Sequence, residues 1–238
     1  MTPSHEERVV KNHCFINKLA KPKDRKAKER KSRDDLILTV AQQMLAGGGL
    51  HTLSMQGIAD RTDYSKGTIY QHYGCKEDVA ARLVVNNGQS LVRYMDLALA
   101  AGESLRHKIV LVSATFFMNA KLHLEVVRLV GGVKSADFRG KLSELSLQEL
   151  AKTEGAMLQR ALKLFGQETS FDQQKIFDAA FGWWSMQWGV MDVINSEWDM
   201  ASWDYADPEE CFFRSLHFYL DGLKIPSDAR CHDSAALK

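Results

Sequence analysis

The stretch S-K-G-T-I-Y-Q-H-Y, Ser65–Tyr73, decides how this 238-residue chain is read. Its only aliphatic side chain is Ile69, so a helix here has little to bury. Ile69 and Tyr73 fall at i and i+4 on one face and hold it down. Lys66, Thr68, Tyr70, Gln71 and His72 are left to the opposite side, and helical phase favours a core position for Tyr73 over Tyr70. Ser65 is placed to cap the helix. A helix that turns lysine, threonine, tyrosine, glutamine and histidine outward is built for a polar partner.

The residues just upstream give it a companion. In H-T-L-S-M-Q-G-I-A-D-R-T, His51–Thr62, Ser54 is a candidate N-cap and Met55, Ile58 and Ala59 an inward face, while Asp63 stands where a left-handed residue commonly ends a helix. Before that, R-D-D-L-I-L-T-V-A-Q-Q-M-L-A repeats Leu36, Ile37, Val40, Ala41, Met44 and Leu45 at helical spacing, and Gly47–Gly49 stops it. Two short helices joined by a tight turn, the second with a polar face, make a helix-turn-helix, whose second helix enters the DNA major groove. Ser65, Lys66 and Thr68 lie where helix N–H groups and the dipole favour a phosphate. Gly67 has no side chain to hold a duplex away, and Tyr70 lies one turn on from Lys66.

Charge supports an anionic partner at this end. The net charge of +1 hides a segment from Lys11 to Arg33 with ten basic residues against Asp24 and Glu29 alone. Residues 1–32 are read as a basic flexible arm, with room for a short helical piece, able to follow phosphates or enter a minor groove; a solvated tail without a partner is the alternative. No apolar run approaches the roughly 18 residues of a membrane span and the start lacks a secretory signal, so the expected location is the cytoplasm and no membrane contact is expected. Cys14, Cys75, Cys211 and Cys231 form no C-x-x-C pair, so free thiols are expected, with no metal and no cofactor.

The run S-M-Q-G-I-A-D-R-T-D-Y-S-K-G-T-I-Y-Q-H-Y-G-C-K-E-D-V, Ser54–Val79, resembles the DNA-binding signature of the tetracycline-repressor (TetR) family of one-component regulators. The likeness covers about residues 34 to 82. It implies that Gln56, Lys66, Gly67, Thr68, Tyr70, His72 and Lys76 occupy positions that touch double-stranded operator DNA. Three residues depart from the family pattern: Asp63 stands for the usual glycine, Tyr64 for a smaller aliphatic residue and Cys75 for a capping serine. The resemblance also implies a repressor that forms a homodimer and binds a small-molecule effector in its carboxy-terminal helices.

The rest of the chain reads as helices near 76–100, 104–119, 122–130, 138–165, 171–195 and 208–223, with no alternating strand pattern. The fold class expected is all-α: the arm, a helix-turn-helix domain over 33–80, a larger ligand-binding and dimerisation domain over 81–225, and a tail over 226–238. F-D-A-A-F-G-W-W-S-M-Q-W-G-V-M-D-V-I-N carries too many large side chains for a narrow stripe. Phe116, Phe117, Met157, Trp184 and Trp188 are the candidate pocket residues for a mostly apolar effector held between about residues 105 and 190; ordinary core packing is the alternative for each. His107, His123, Asn119 and Gln187 are unranked polar anchors. Phe212, Leu216, Tyr219 and Leu220 share one side of the last helix and are expected to face a symmetry mate. Control by a protein partner, without any small ligand, stays open. Catalysis has no motif behind it: G-x-S-x-G, H-E-x-x-H and phosphate-cradling glycine loops are all missing from the sequence.

Overall fold

The computed structural model describes residues 22–194 and 207–226; the arm before Pro22, the tail after Pro226, Cys14 and Cys231 lie outside the described residues. These residues form ten α-helices and one short 3-10 turn, with no strand among them. They fall into two compact units that divide between Ala80 and Ala81.

The first unit contains α1 (Pro22–Ala46), a 3-10 turn (Leu50–Thr52), α2 (Met55–Thr62), α3 (Lys66–His72) and the start of α4 (Lys76–Ala101). Ile37, Val40, Ala41, Met44 and Leu45 of α1 are buried as the periodicity predicts, but Leu36 is 40% exposed. α1 packs on α2 and α2 on α3. At Gly57 a Cβ would come within 2.7 Å of Met44 Cε, so a side chain there would require the end of the Met44 side chain to move. Ser54 accepts a hydrogen bond from the Gly57 N–H at 3.0 Å, and Asp63 ends α2 in the left-handed region at φ 55°. Cys75, in the place of a capping serine, still accepts from the Asp78 N–H, at 3.4 Å through sulfur; burial pushes its thiol pKa up.

The arm is corrected over its last residues. Helix α1 begins at Pro22, so residues 22–32 are helical and not a flexible leader. They have no apolar repeat, which is why periodicity does not find them. They have instead good helix formers, Pro22 at the start, Asp24 in the first turn and an Arg25–Glu29 contact at 3.7 Å; once the apolar part has nucleated a helix, such residues extend it readily.

The second unit contains the rest of α4, then α5 (Leu105–Leu122), α6 (Leu124–Val133), α7 (Ala136–Arg139), α8 (Glu144–Phe165), α9 (Gln173–Ile194) and α10 (Pro208–Gly222). The helix expected over 138–165 is divided, because Ser143 caps a new start by accepting from the Ser146 N–H at 3.3 Å. The core joins Phe117, Phe165, Trp183, Met191 and Phe212, with the Trp183 indole donating to Ser113 Oγ at 2.9 Å. At Gly182 a Cβ would meet the Tyr219 hydroxyl at 2.6 Å, and that hydroxyl donates to the Ala179 carbonyl at 2.7 Å, so α9 and α10 lie very close. Arg106 is buried and ties α5 to the end of α10 through the Ile225 carbonyl at 2.9 Å and Asp221 at 2.8 Å.

The expected dimer stripe is a second correction. Phe212, Leu216 and Leu220 are fully buried inside their own chain. The i, i+4, i+8 spacing identifies a packed face but not which chain packs on it. Outward, α9 carries Phe177 and Phe181, stacked with ring centres 6.1 Å apart, and α10 carries Phe218, 83% exposed. Among the described residues no single helix is long and apolar enough to cross a membrane; the nearest case, α5 with α6, is bent by 100°.

Candidate functional site

Helix α3 is held from below by fully buried Ile69 and by Tyr73 just beyond it. The Tyr73 hydroxyl donates to Asp34 Oδ1 on α1 at 2.6 Å, which satisfies the one polar atom that this aromatic brings into the core. Ser65 caps the other end, accepting from the Thr68 N–H at 3.1 Å and lying 2.8 Å from the Thr68 hydroxyl. Both ends of a seven-residue helix are thus fixed, and the side turned away from the core is open.

Lys66, Gly67, Tyr70 and Gln71 are exposed on that side, and Tyr70 is 49% accessible. The nearest neighbour of a Cβ at Gly67 would be Ser65 Oγ at 3.7 Å, so the first turn is open in front. Gln56 is exposed on α2 with its amide donating to Asp60 at 2.6 Å, and Lys76 is half-buried at the start of α4. His72 departs from the expectation of an outward ring. Its side chain is only 7% exposed and Nδ1 lies 3.6 Å from Asp34 Oδ1. Helical phase puts His72 at the edge of the polar face, and its ring is folded inward beside Asp34, far away in sequence. Asp34 is the residue that sequence reasoning missed here.

The second unit holds a partly open cavity of about 410 Å³ lined by α4, α5, α6, α7, α8 and α9. Of the five candidate pocket residues, Phe116, Met157, Trp184 and Trp188 line it, and Phe116 lies edge-on to Trp188 at 5.2 Å. Phe117 does not. It turns into the core against Phe212, ring centres 4.9 Å apart. Consecutive residues on a helix point about 100° apart, so a Phe-Phe pair is divided between two surroundings. Helix α4 also contributes, through Val84, Asn87, Gly88 and Leu91, outside the expected 105–190 range. At Gly88 a Cβ would meet Thr153 and Met157 within 2.8 Å. A glycine that in sequence looks only like a weak point in a helix is where α4 closely approaches α8.

Asn119 lines the cavity and exchanges two hydrogen bonds with Asn87, at 3.0 and 3.1 Å. His107, His123 and Gln187 are not among its walls; Gln187 is fully buried, and neither of its amide atoms has a partner among the described residues. Lys134, Arg139 and Glu154 are the charged residues at the cavity. Among the described residues no three His, Cys, Asp or Glu side chains gather as metal ligands.

Two capped short helices with an open polar face make a helix-turn-helix, followed in the chain by a larger helical unit. The sequence profile of the bacterial regulatory proteins, tetR family, matches residues 37–83. Solved structures similar in fold include a tetR-family regulatory protein from Rhodococcus RHA1, 18% identical over 79% of this chain and 95% of that one at TM-score 0.60. A TetR/AcrR-family transcriptional regulator from Thermobifida fusca is 18% identical over 80% and 98%, at TM-score 0.61. FadR of Bacillus subtilis, solved in complex with stearoyl-CoA, is 15% identical over 79% and 97%, also at 0.61. No curated protein sequence matches the chain. The profile match marks residues 37–83 as a TetR-type DNA-binding domain, and the solved structures share the all-helical fold that continues beyond it.

Proposed function

We propose that the protein is a cytoplasmic repressor with no catalytic role, which binds a pseudo-palindromic operator as a homodimer and leaves it when a small, mostly apolar effector enters the second unit. The observation that carries the DNA half is the open face of α3, where Lys66 and Tyr70 stand exposed on a helix pinned by Ile69, Tyr73 and Ser65. Lys66, Gly67 and Thr68, with Ser65, meet a phosphate at the first turn; Tyr70 reaches the adjoining backbone or base edge; Gln56 and Lys76 add flanking contacts. His72 acts from within, setting the end of the helix through Asp34. The exposed basic residues of α1, from Arg25 to Arg33, add phosphate contacts that do not depend on sequence. Outward-facing Phe177, Phe181 and Phe218 are the candidate dimer contacts.

The cavity supports control by a small molecule over control by a protein partner alone, since about 410 Å³ falls within the roughly 300–1,000 Å³ of ligand pockets. That FadR is solved with an acyl-CoA bound agrees with an apolar effector here. An effector shifts the DNA equilibrium only by its difference in affinity for the two states, about 1.4 kcal/mol for each tenfold change. The test is selection of bound duplexes from a random library, footprinting of the enriched site, and titration of that complex with apolar compounds. A half-site pair about one helical turn apart, released by at least one compound, is the expected result. No enriched sequence would remove the operator reading; an operator that no cavity-binding compound releases would favour the partner-controlled alternative.

A further inference from the structure

The walls of the cavity and the charges at it do not match a neutral ligand. Phe116, Met157, Trp184 and Trp188 make an apolar body, and the one amide pair inside it, Asn87 with Asn119, is already joined by two reciprocal hydrogen bonds. Of the other polar side chains at the void, Thr153 donates its hydroxyl to the Glu149 carbonyl at 2.8 Å, which leaves the Trp188 indole, Lys134, Arg139 and Glu154. Trp188 has its indole N–H buried with no partner among the described residues, and an indole can only donate. The Lys134 ammonium lies over that same ring, 5.1 Å from its centre. Arg139 meets Glu154 at 3.5 Å, a long contact between two side chains that are 34% and 49% exposed. Two cations against one carboxylate leave an excess of one positive charge beside an unsatisfied donor. A buried donor without an acceptor costs roughly 1–3 kcal/mol, and an anionic acceptor on a ligand would recover it.

We propose that the effector is an amphipathic monoanion, an apolar carboxylate whose acid group sits between Lys134 and the Trp188 indole and whose chain or ring lies along Phe116, Met157 and Trp184. The inference rests on the reading of the cavity as the effector site. It separates a free acid from a coenzyme thioester of the same acid. The thioester has no carboxylate at the end of its apolar chain, and about 410 Å³ leaves little room for a nucleotide beside the acyl group. Arg139 is the second cation: a carboxylate at the mouth competes with Glu154 for it, and the weak geometry of that pair makes the exchange easy.

The full-length protein is titrated by calorimetry with decanoate, decanol, decylamine and decanoyl-coenzyme A, together with the variants Lys134→Met and Trp188→Phe, which keep the apolar stem and an aromatic ring. Decanoate is expected to bind about tenfold or more tighter than decanol, the scale of one charge-assisted hydrogen bond. Decylamine and the thioester should be weaker still. In both variants the ratio of the decanol to the decanoate dissociation constant should fall toward one, whatever each substitution does to apolar binding as a whole. Decanol, decylamine or the thioester binding as well as decanoate overturns the anionic end and leaves an apolar effector site in place. Selectivity that survives both substitutions overturns the assignment to these residues. Binding by none of the four, or by any other apolar compound in a thermal-shift screen of the same protein, removes the effector reading itself.

Discussion

Polar side chains are placed in opposite ways in the two units. In the first, they stand on the outside of a seven-residue helix, and the inward-turned Tyr73 and His72 serve to fix that helix through Asp34. In the second, the surface of interest is interior: apolar rings surround a void, and the polar groups that matter are a closed Asn87–Asn119 pair and a few donors near Trp188. A site made of one short helix and its caps is written in consecutive residues. A cavity lined by six helices is not, because most of its walls are chosen by packing between segments tens of residues apart.

The largest effect expected tests which side of α10 is core. Leu216→Asp puts a charge where the native side chain has no exposure, and the second unit should lose more than about 4 kcal/mol or fail to fold. Phe218→Asp, two residues on and therefore on the other side of the helix, is 83% exposed and should keep the fold while shifting the protein toward monomer. Circular dichroism melts with light scattering after gel filtration separate the two. A folded Leu216→Asp monomer would restore the outward stripe that the spacing alone implied.

The next effect lies on the first unit. Lys66→Ala and Tyr70→Ala should each weaken operator binding by about 1–3 kcal/mol with an unchanged melting curve, because both side chains stand outside the core. Neutralising Arg25 and Lys28 together should weaken all duplexes alike and reduce the log–log salt slope by about 0.9 for each phosphate left without its cation. If these α1 changes altered preference between sequences while the α3 changes did not, the division between a reading helix and a positioning helix would be reversed.

What the sequence reveals follows the same division. Ser54, Ser65, Asp63, Ile69 and Tyr73 are legible because caps, left-handed ends and i, i+4 faces are local rules, and the structure has each in that role. The inward turn of His72 is not legible, since the carboxylate it lies beside is on another helix. Residues 22–32 are hidden for a different reason: periodicity detects burial, and a helical stretch without a buried face has none. In the second unit, aromatic supply points to four cavity residues but also to Phe117, because composition counts side chains without giving their phase. Lys134, Arg139 and Glu154 carry no spacing signal at all; only the fold brings them to one cavity.

The smallest effect concerns charge in the second unit away from the cavity. Arg160 on α8 clasps Asp96 on α4 with two hydrogen bonds, at 2.7 and 2.6 Å, and its third nitrogen donates to the Ala156 carbonyl at 3.0 Å. The hydrogen bonds from Arg160 hold the Asp96 carboxyl below the usual carboxylate range. Because Asp96 is 53% exposed, water screens the pair and its contribution is at most about 1 kcal/mol. A depressed carboxylate pKa means that this stabilisation is present above the ordinary carboxylate range and is lost as pH falls through the folded-state value. Asp96→Asn should therefore be less stable than the parent by up to about 1 kcal/mol at neutral pH, with the gap closing in acid. Urea unfolding midpoints at the two pH values measure it, and a gap that stayed constant or widened in acid would show that packing, not the ion pair, joins α4 to α8. Operator affinity and decanoate binding should be unchanged in this variant, because in the second unit a surface charge pair is scaffold, whereas in the first the surface is the site.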